Sequence, residues 1–356
     1  MRTVTLSNNG VITYPNQTVF AFSPNTLYVT IPDTLHDNSP VTITGNGLSF
    51  TRNCLNGSVI FPLDGLLKSL FDAESISRVT EGIYMQEMQS IKSLDVKVYY
   101  NYTIPATYET LSFTVIWGAL QLGETYNVIT QKKWWVNLPF TTGIIGASTN
   151  TVLAKFGENS TIDLGEKGSI GTLISPENIK GHTQDQILIV QFADGSQITT
   201  FGIEFDETFQ SENVGVLKLI PETCTDGHYL RWVNQIGDFE YHLLKQSFDT
   251  GISTETGAKE LVNYYPTSES DTLIGRSRIT QKTGRDSLLA GDVAIDEYDY
   301  QKLKYLLLSP IVQYYNQITQ KWIGVRIADA TLSPENEVLK QFNCTIVFPD
   351  YYTQHI

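Results

Sequence analysis

Runs in which every second residue is apolar dominate the first 120 residues. Leu27, Val29 and Ile31 alternate with Tyr28 and Thr30; Leu94, Val96, Val98 and Tyr100 form a second run, and Leu111, Phe113, Val115 and Trp117 a third. A period of two is that of a strand with one face buried. Val19-Phe20-Ala21-Phe22 ahead of the turn signal Ser23-Pro24-Asn25, and residues 41–44 ahead of Gly45-Asn46-Gly47, predict further strands and turns. The pattern changes once. Leu63, Leu66, Leu67, Leu70 and Phe71 fall at steps of three and four, which puts them on one face of a helix over 62–71 starting near Pro62. Burying each contributes about 1.5–3 kcal/mol, enough to outweigh Gly65, which costs a helix about 1 kcal/mol.

Glycine, serine and threonine rise from 143 to 175, which suggests a boundary or a long loop. Beyond it, strand patterns at 187–192 and 197–201 flank Ala193-Asp194-Gly195-Ser196, a hairpin signal, and 214–220 is another strand. Two aromatic strands then meet in a loop centred between Gln235 and Ile236, which predicts Arg231 opposite Glu240 and Trp232 opposite Phe239. The polar stretch 247–270 reads as the approach to a last domain. There, after a strand pattern at 273–279, a helix is predicted over 296–308, with Asp296 as N-cap, Pro310 as a stop, and Tyr300, Leu303 and Leu307 in a stripe beside Leu306. Strands follow at 311–315, 322–327 and 341–348; in the last, Phe342, Cys344, Ile346 and Phe348 share one face.

The fold class expected is mainly β with minor α, of the α+β kind. Three domains are predicted: 1–145, β-sandwich-like with the short helix 62–71; 146–250, a middle β-domain; and 251–356, an antiparallel sheet with one packed helix. A length of 356 residues is too great for one ordinary core, and no internal repeat of fixed period is visible.

Charge removes one class of partner. A formal net charge of -14, with no block of Lys and Arg, argues against nucleic acid, whose phosphates need clustered cations. Cys54, Cys224 and Cys344 are odd in number and far apart, so neither a disulfide framework nor a zinc site is indicated. The first residues lack the apolar stretch of a signal peptide, and no segment has the length of a membrane span, so synthesis and folding in a cytoplasm are expected.

Little here points to chemistry. Cys224 and His228 stand four apart, but a zinc site needs three or four ligands and the chain has five histidines without a second close pair. Asp292, Asp296, Glu297 and Asp299 lack the glycine and spacing of a calcium loop and read as a solvated helix start, where carboxylates favour the N-terminal dipole. Gly165 to Gly171 is glycine-rich without the Gly-Lys-Ser/Thr of a phosphate loop, and Ser169 is not in a nucleophile elbow. No catalytic residue, metal ligand or cofactor is assigned, although a carboxylate pair for glycoside hydrolysis stays open, because such partners meet only in the fold. Trp134 and Trp135 are the candidate site residues. In a strand they point to opposite faces, so both are buried, or one is exposed as an interface anchor or sugar-stacking platform.

Phe20-Ala21-Phe22-Ser23-Pro24-Asn25, Trp117-Gly118-Ala119-Leu120, Gly227-His228-Tyr229-Leu230-Arg231-Trp232 and Leu306-Leu307-Leu308-Ser309-Pro310 together resemble stretches of uncharacterised virion proteins of Bacteroidetes phages and prophages. The N-terminal likeness lies in Phe20-Ala21-Phe22-Ser23-Pro24-Asn25, the 63–71 helix, Trp117-Gly118-Ala119-Leu120 with Gly123-Glu124, and 135–140. Gly227-His228-Tyr229-Leu230-Arg231-Trp232 resembles their middle segment; Leu306-Leu307-Leu308-Ser309-Pro310 with Val312 and the 322–327 strand resembles their C-terminal segment. The polar 143–185 stretch departs from the pattern. The resemblance implies a tail, tail-hub or baseplate component located in the virion and made in the bacterial host cytoplasm. It would be a structural protein, not an enzyme, whose partners are other copies of itself and neighbouring virion proteins. The alternative is a carbohydrate- or receptor-binding module of the virion or cell surface, with a host glycan as ligand.

Overall fold

The computed structural model describes residues 1–7, 9–32, 39–80, 82–101, 107–119, 131–145, 151–157, 160–166, 171–179, 188–192, 216–255, 260–263, 276–279, 281–334 and 340–355. Strands dominate them, with three short α-helices, so the mainly β class with minor α holds. None of these helices is long and apolar enough to cross a membrane. The predicted hairpin at 193–196 and the glycine-rich 167–170 lie outside the described residues.

The chain divides into two units, 1–225 with 233–239, and 226–232 with 240–356. The boundary predicted at 145 does not separate them. Strands on either side of it, Gln131–Trp135 and Thr151–Phe156, belong to one sheet.

In unit 1 the alternating runs become two sheets. One has the order Arg2–Thr5, Val11–Tyr14, Thr26–Thr30, Ser58–Pro62, all antiparallel. The other runs Thr18–Phe20, Thr107–Ile116, Ile91–Asn101, Pro40–Gly45, Leu48–Asn53, antiparallel except for the first pair. Leu27, Val29 and Phe61 of the first sheet and Ile43, Val96, Val98 and Phe113 of the second join one apolar cluster. The predicted turn after Phe22 is held by Asn25, whose Nδ2 donates to the carbonyls of Phe20 and Ser23, each at 2.7 Å.

The 62–71 helix is shorter than the leucine stripe suggests. It covers Asp64–Lys68, with Leu63, Leu66 and Leu67 buried and Leu70 and Phe71 packed against the cluster from beyond its end. A second helix, Ala73–Ser77, starts at Asp72, whose carboxylate accepts from the amides of Glu74 and Ser75. That cap makes a fresh start cheaper than continuing the first helix. Two further sheets complete the unit: Gln131–Trp135, Val216–Glu222, Leu188–Phe192, Thr151–Phe156 and Ser160–Glu166; and Thr142–Ile145, Gly171–Ile174 and Met85–Glu87.

Unit 2 holds the sheet Phe239–Leu244, His228–Val233, Val312–Asn316, Lys321–Gly324 and the sheet Gln246–Glu255, Gln281–Ile295, Lys340–His355, Arg326–Leu332. A two-stranded ladder pairs Glu260–Asn263 with Arg276–Ile279. Much of the polar 247–270 stretch, read from sequence as a connection, is therefore strand. Asp296 caps the helix Glu297–Leu306, accepting from the Asp299 amide at 2.8 Å. Its buried face carries Tyr300, Leu303 and Leu306, while Leu307, placed on the stripe by its spacing, is exposed. The helix shares an apolar cluster with Leu230, Trp232 and Leu244 of one sheet and Phe342, Cys344 and Ile346 of the other.

The hairpin between His228–Val233 and Phe239–Leu244 differs from its predicted register by one residue. Asn234 N–H donates to the Asp238 carbonyl at 2.8 Å, so the loop centres on Ile236, with Gly237 at a φ of 79°. Trp232 and Leu244 consequently point into the apolar cluster while Tyr229 stacks on Tyr241 on the other face. Arg231 meets Gln313 and Trp322 there, on the face away from Trp232.

Candidate functional site

Trp134 and Trp135 are both buried, at 0% and 3% exposure, so neither presents a ring face to solvent. Their strand lies parallel to Val216–Glu222, and parallel pairing is found where both faces of a sheet are covered. Two residues before Trp134, on the same side of the strand, the ammonium of Lys132 is buried as well. It donates to Asp238 Oδ2 at 2.7 Å and reaches the Phe239 carbonyl at 3.4 Å. Asn234 Oδ1 accepts from the Ile236 and Asp238 amides, each at 3.0 Å, and fixes the turn that delivers the carboxylate. This is a sealed ion pair that joins two distant segments of unit 1.

Unit 2 has a second buried polar group. His242 Nε2 lies 3.1 Å from Asp292 Oδ2 and its Nδ1 3.6 Å from Asp299 Oδ1, while Lys302 Nζ lies 3.0 Å from the same Asp299 oxygen. The acidic run thus splits. Asp296 caps the helix as the sequence suggests, but Asp292 and Asp299 turn inward instead of being solvated. An imidazole between carboxylates is the raw material of general base chemistry, yet all four side chains are more than nine-tenths buried. Here the cluster ties helix to sheet, since Asp299 and Lys302 lie on the helix, His242 on the Phe239–Leu244 strand and Asp292 on the Gln281–Ile295 strand.

The partly exposed aromatics lie elsewhere in unit 2. Tyr315 and Trp322 sit opposite each other on neighbouring strands, with ring centroids 5.1 Å apart, and the Arg231 guanidinium lies 4.2 Å from the Trp322 ring centre. Tyr229 and Tyr241, which also contact Trp322, are themselves buried. Partly exposed aromatic faces suit a sugar ring or a protein anchor, and here the buried Arg231 lies against Trp322. This set was not legible as a site because its members come from separate strands; the signal available was the density of aromatics in 229–241 and 314–322.

Unit 1 leaves a different kind of surface. Tyr28 and Ile60, directly paired across the ladder, are 38% and 49% exposed, and Leu48 and Phe50 on the outer strand of the other sheet are 39% and 43% exposed. Phe22 packs edge-on to Trp117 at 4.5 Å, with Lys68 Nζ 5.5 Å from its ring centre.

Two titratable groups carry testable consequences. Burial pushes the Cys344 thiol up to about 12, Cys54 is buried too, and Cys224 is exposed. A thiolate is the reacting form, so a disulfide reagent under native conditions is expected to modify Cys224 alone, and all three cysteines only after unfolding in guanidinium. Partial burial of His228 lowers its pKa from the usual histidine range. The unfolded chain then takes up a proton before the native one does, so this group's contribution is full above the usual histidine pKa of about 6.5 and is lost as pH falls further. Urea midpoints for unit 2 at pH 7.5 and 5.0 should differ less in His228→Gln than in the native protein.

No protein-family model matches the chain, and comparison with characterised proteins finds no match.

Proposed function

We propose that this protein is a structural component of a phage particle, in the tail, tail hub or baseplate, working through contacts with copies of itself and with neighbouring virion proteins and not through a reaction. The observation that carries the reading is the set of large apolar side chains held in the open on ordered strands of unit 1: Tyr28, Leu48, Phe50 and Ile60. Such side chains gain free energy when a partner covers them, at about 25 cal/mol per Å² of apolar surface. In this reading the two sheets that share the first apolar cluster form a sandwich-like N-terminal module. The short stretches that resemble Bacteroidetes phage virion proteins are in keeping with it. Mass spectrometry of purified particles from a phage that encodes the chain is the test. The protein should be present at a fixed stoichiometry to the other tail proteins, and its absence from intact particles would refute the reading.

A second reading, a carbohydrate- or receptor-binding module, is favoured by Tyr315 and Trp322 beside Arg231. Binding on a glycan array that disappears with Trp322→Ala but survives Phe50→Ser would support it over assembly alone.

A further inference from the structure

We infer that the outer strand Leu48–Asn53 is a self-pairing edge, which takes the same strand of a second copy, antiparallel, about a two-fold axis at Thr51. This deepens the assembly reading and rests on it. Among the described residues the strand has one neighbour, Pro40–Gly45, and all six of its residues are exposed.

The hairpin fixes which backbone groups point outward. Asn46 and Gly47, with φ of 46° and 73°, make the two-residue loop that closes on Gly45 and Leu48, and Cys54 N–H donates to the Ser39 carbonyl at 2.9 Å at the far end. In an antiparallel ladder the bonded residues alternate, so Leu48, Phe50 and Arg52 turn their backbone groups to the neighbour and Ser49, Thr51 and Asn53 turn theirs away. The close approach of Thr42 Oγ1 and Thr51 Oγ1, 2.7 Å, fits the same parity, because side chains come closest at the pairs that are not backbone-bonded.

That parity makes the edge complementary to itself. A two-fold at Thr51 pairs Thr51 with its own copy and Ser49 with Asn53, and every one of these residues points its N–H and C=O outward. Shifting the axis by half a residue would set outward groups against inward ones and lose the ladder. On one face the pairing aligns only Ser, Thr and Asn. On the other it sets Phe50 opposite Arg52 of the second copy, a ring against a guanidinium that already donates to the Ile60 carbonyl at 2.7 Å and has N–H groups to spare.

Charge favours the same partner. In a chain of net charge -14, Arg52 is the one charged residue between Pro40 and Asn53, so two copies meet here without facing acids. Exposed edges are commonly guarded by lysine, proline or a bulge. This one has no lysine or proline from Leu48 to Asn53, and its register with Pro40–Gly45 runs unbroken.

Proline distinguishes this edge from the rest of the fold, because it is tolerated on an edge strand where its missing N–H would have faced outward. Sedimentation equilibrium of the full chain should give an even number of copies, and Thr51→Pro should halve the mass while leaving the circular dichroism unchanged. In a Cys224→Ser background, Thr51→Cys should link two copies through a disulfide on mild oxidation, since Cα atoms at such a pair stand about 5.5 Å apart, within the range of a disulfide. Leu55→Cys should not. A monomeric native protein, or an oligomer that survives Thr51→Pro while the Thr51→Cys variant forms no disulfide between copies, would overturn the edge pairing. In the latter case, presence in particles would leave the assembly reading standing by another surface.

Discussion

Replacing Lys132 with Met is expected to destabilise unit 1 by about 3–5 kcal/mol, because it leaves the Asp238 carboxylate buried without the ammonium that lies 2.7 Å from it. Both side chains are essentially inaccessible, at 2% and 0% exposure, so water cannot replace the lost partner. The double variant Lys132→Met, Asp238→Leu should recover most of the loss, since an apolar pair of similar volume in a buried site costs little relative to an ion pair. Calorimetric unfolding of the native protein, the single variant and the double variant decides the matter. A double variant as unstable as the single would mean that the unpaired carboxylate is not what destabilises the single variant.

Gly118→Ala should be comparably damaging for a steric reason. A Cβ at Gly118 would sit 2.0 Å from the Gln235 carbonyl oxygen and 2.7 Å from its carbon, both backbone atoms. The contact is pinned from both sides, since the next residue, Ala119, donates to the same oxygen at 2.9 Å and Gly118 itself accepts from Phe22 N–H at 3.0 Å. Overpacking of this kind costs about 3 kcal/mol, at the upper end of the usual range, because backbone must move. Gly65→Ala is the contrasting case. Its Cβ would meet the Phe50 ring at 3.8 Å, an ordinary contact, and alanine in place of glycine inside the Asp64–Lys68 helix should stabilise by about 0.5–1 kcal/mol. Urea titration of the two variants side by side should move the midpoint in opposite directions.

What the sequence revealed was what neighbouring residues decide among themselves. The runs at Leu94 and Leu111 became the paired strands Ile91–Asn101 and Thr107–Ile116, with Leu94 opposite Phe113 and Val96 opposite Leu111, because period-two burial is a local property. The Asp296 cap was legible for the same reason. The strand Gln246–Glu255 was hidden because a backbone ladder to Gln281–Ile295 forms whether or not the side chains alternate, and this segment has no alternation of apolar residues. Trp134 and Trp135 show a different limit. The pattern placed them on opposite faces, but what covers the second face is set by distant chain. Lys132 and Asp238 stand 106 positions apart, and His242 and Asp292 stand 50 apart, so no window of sequence contains either pair.

The chain enters unit 2 at Asp226, returns to unit 1 for Val233–Phe239, and leaves again at Glu240. Recombination that exchanged everything after residue 225 for another module would therefore carry off Asp238 and the Gln235 carbonyl, and strand Lys132 and Gly118 in the half left behind. A module exchanged at this junction would have to bring its own carboxylate and turn to keep Lys132 paired and Gly118 packed.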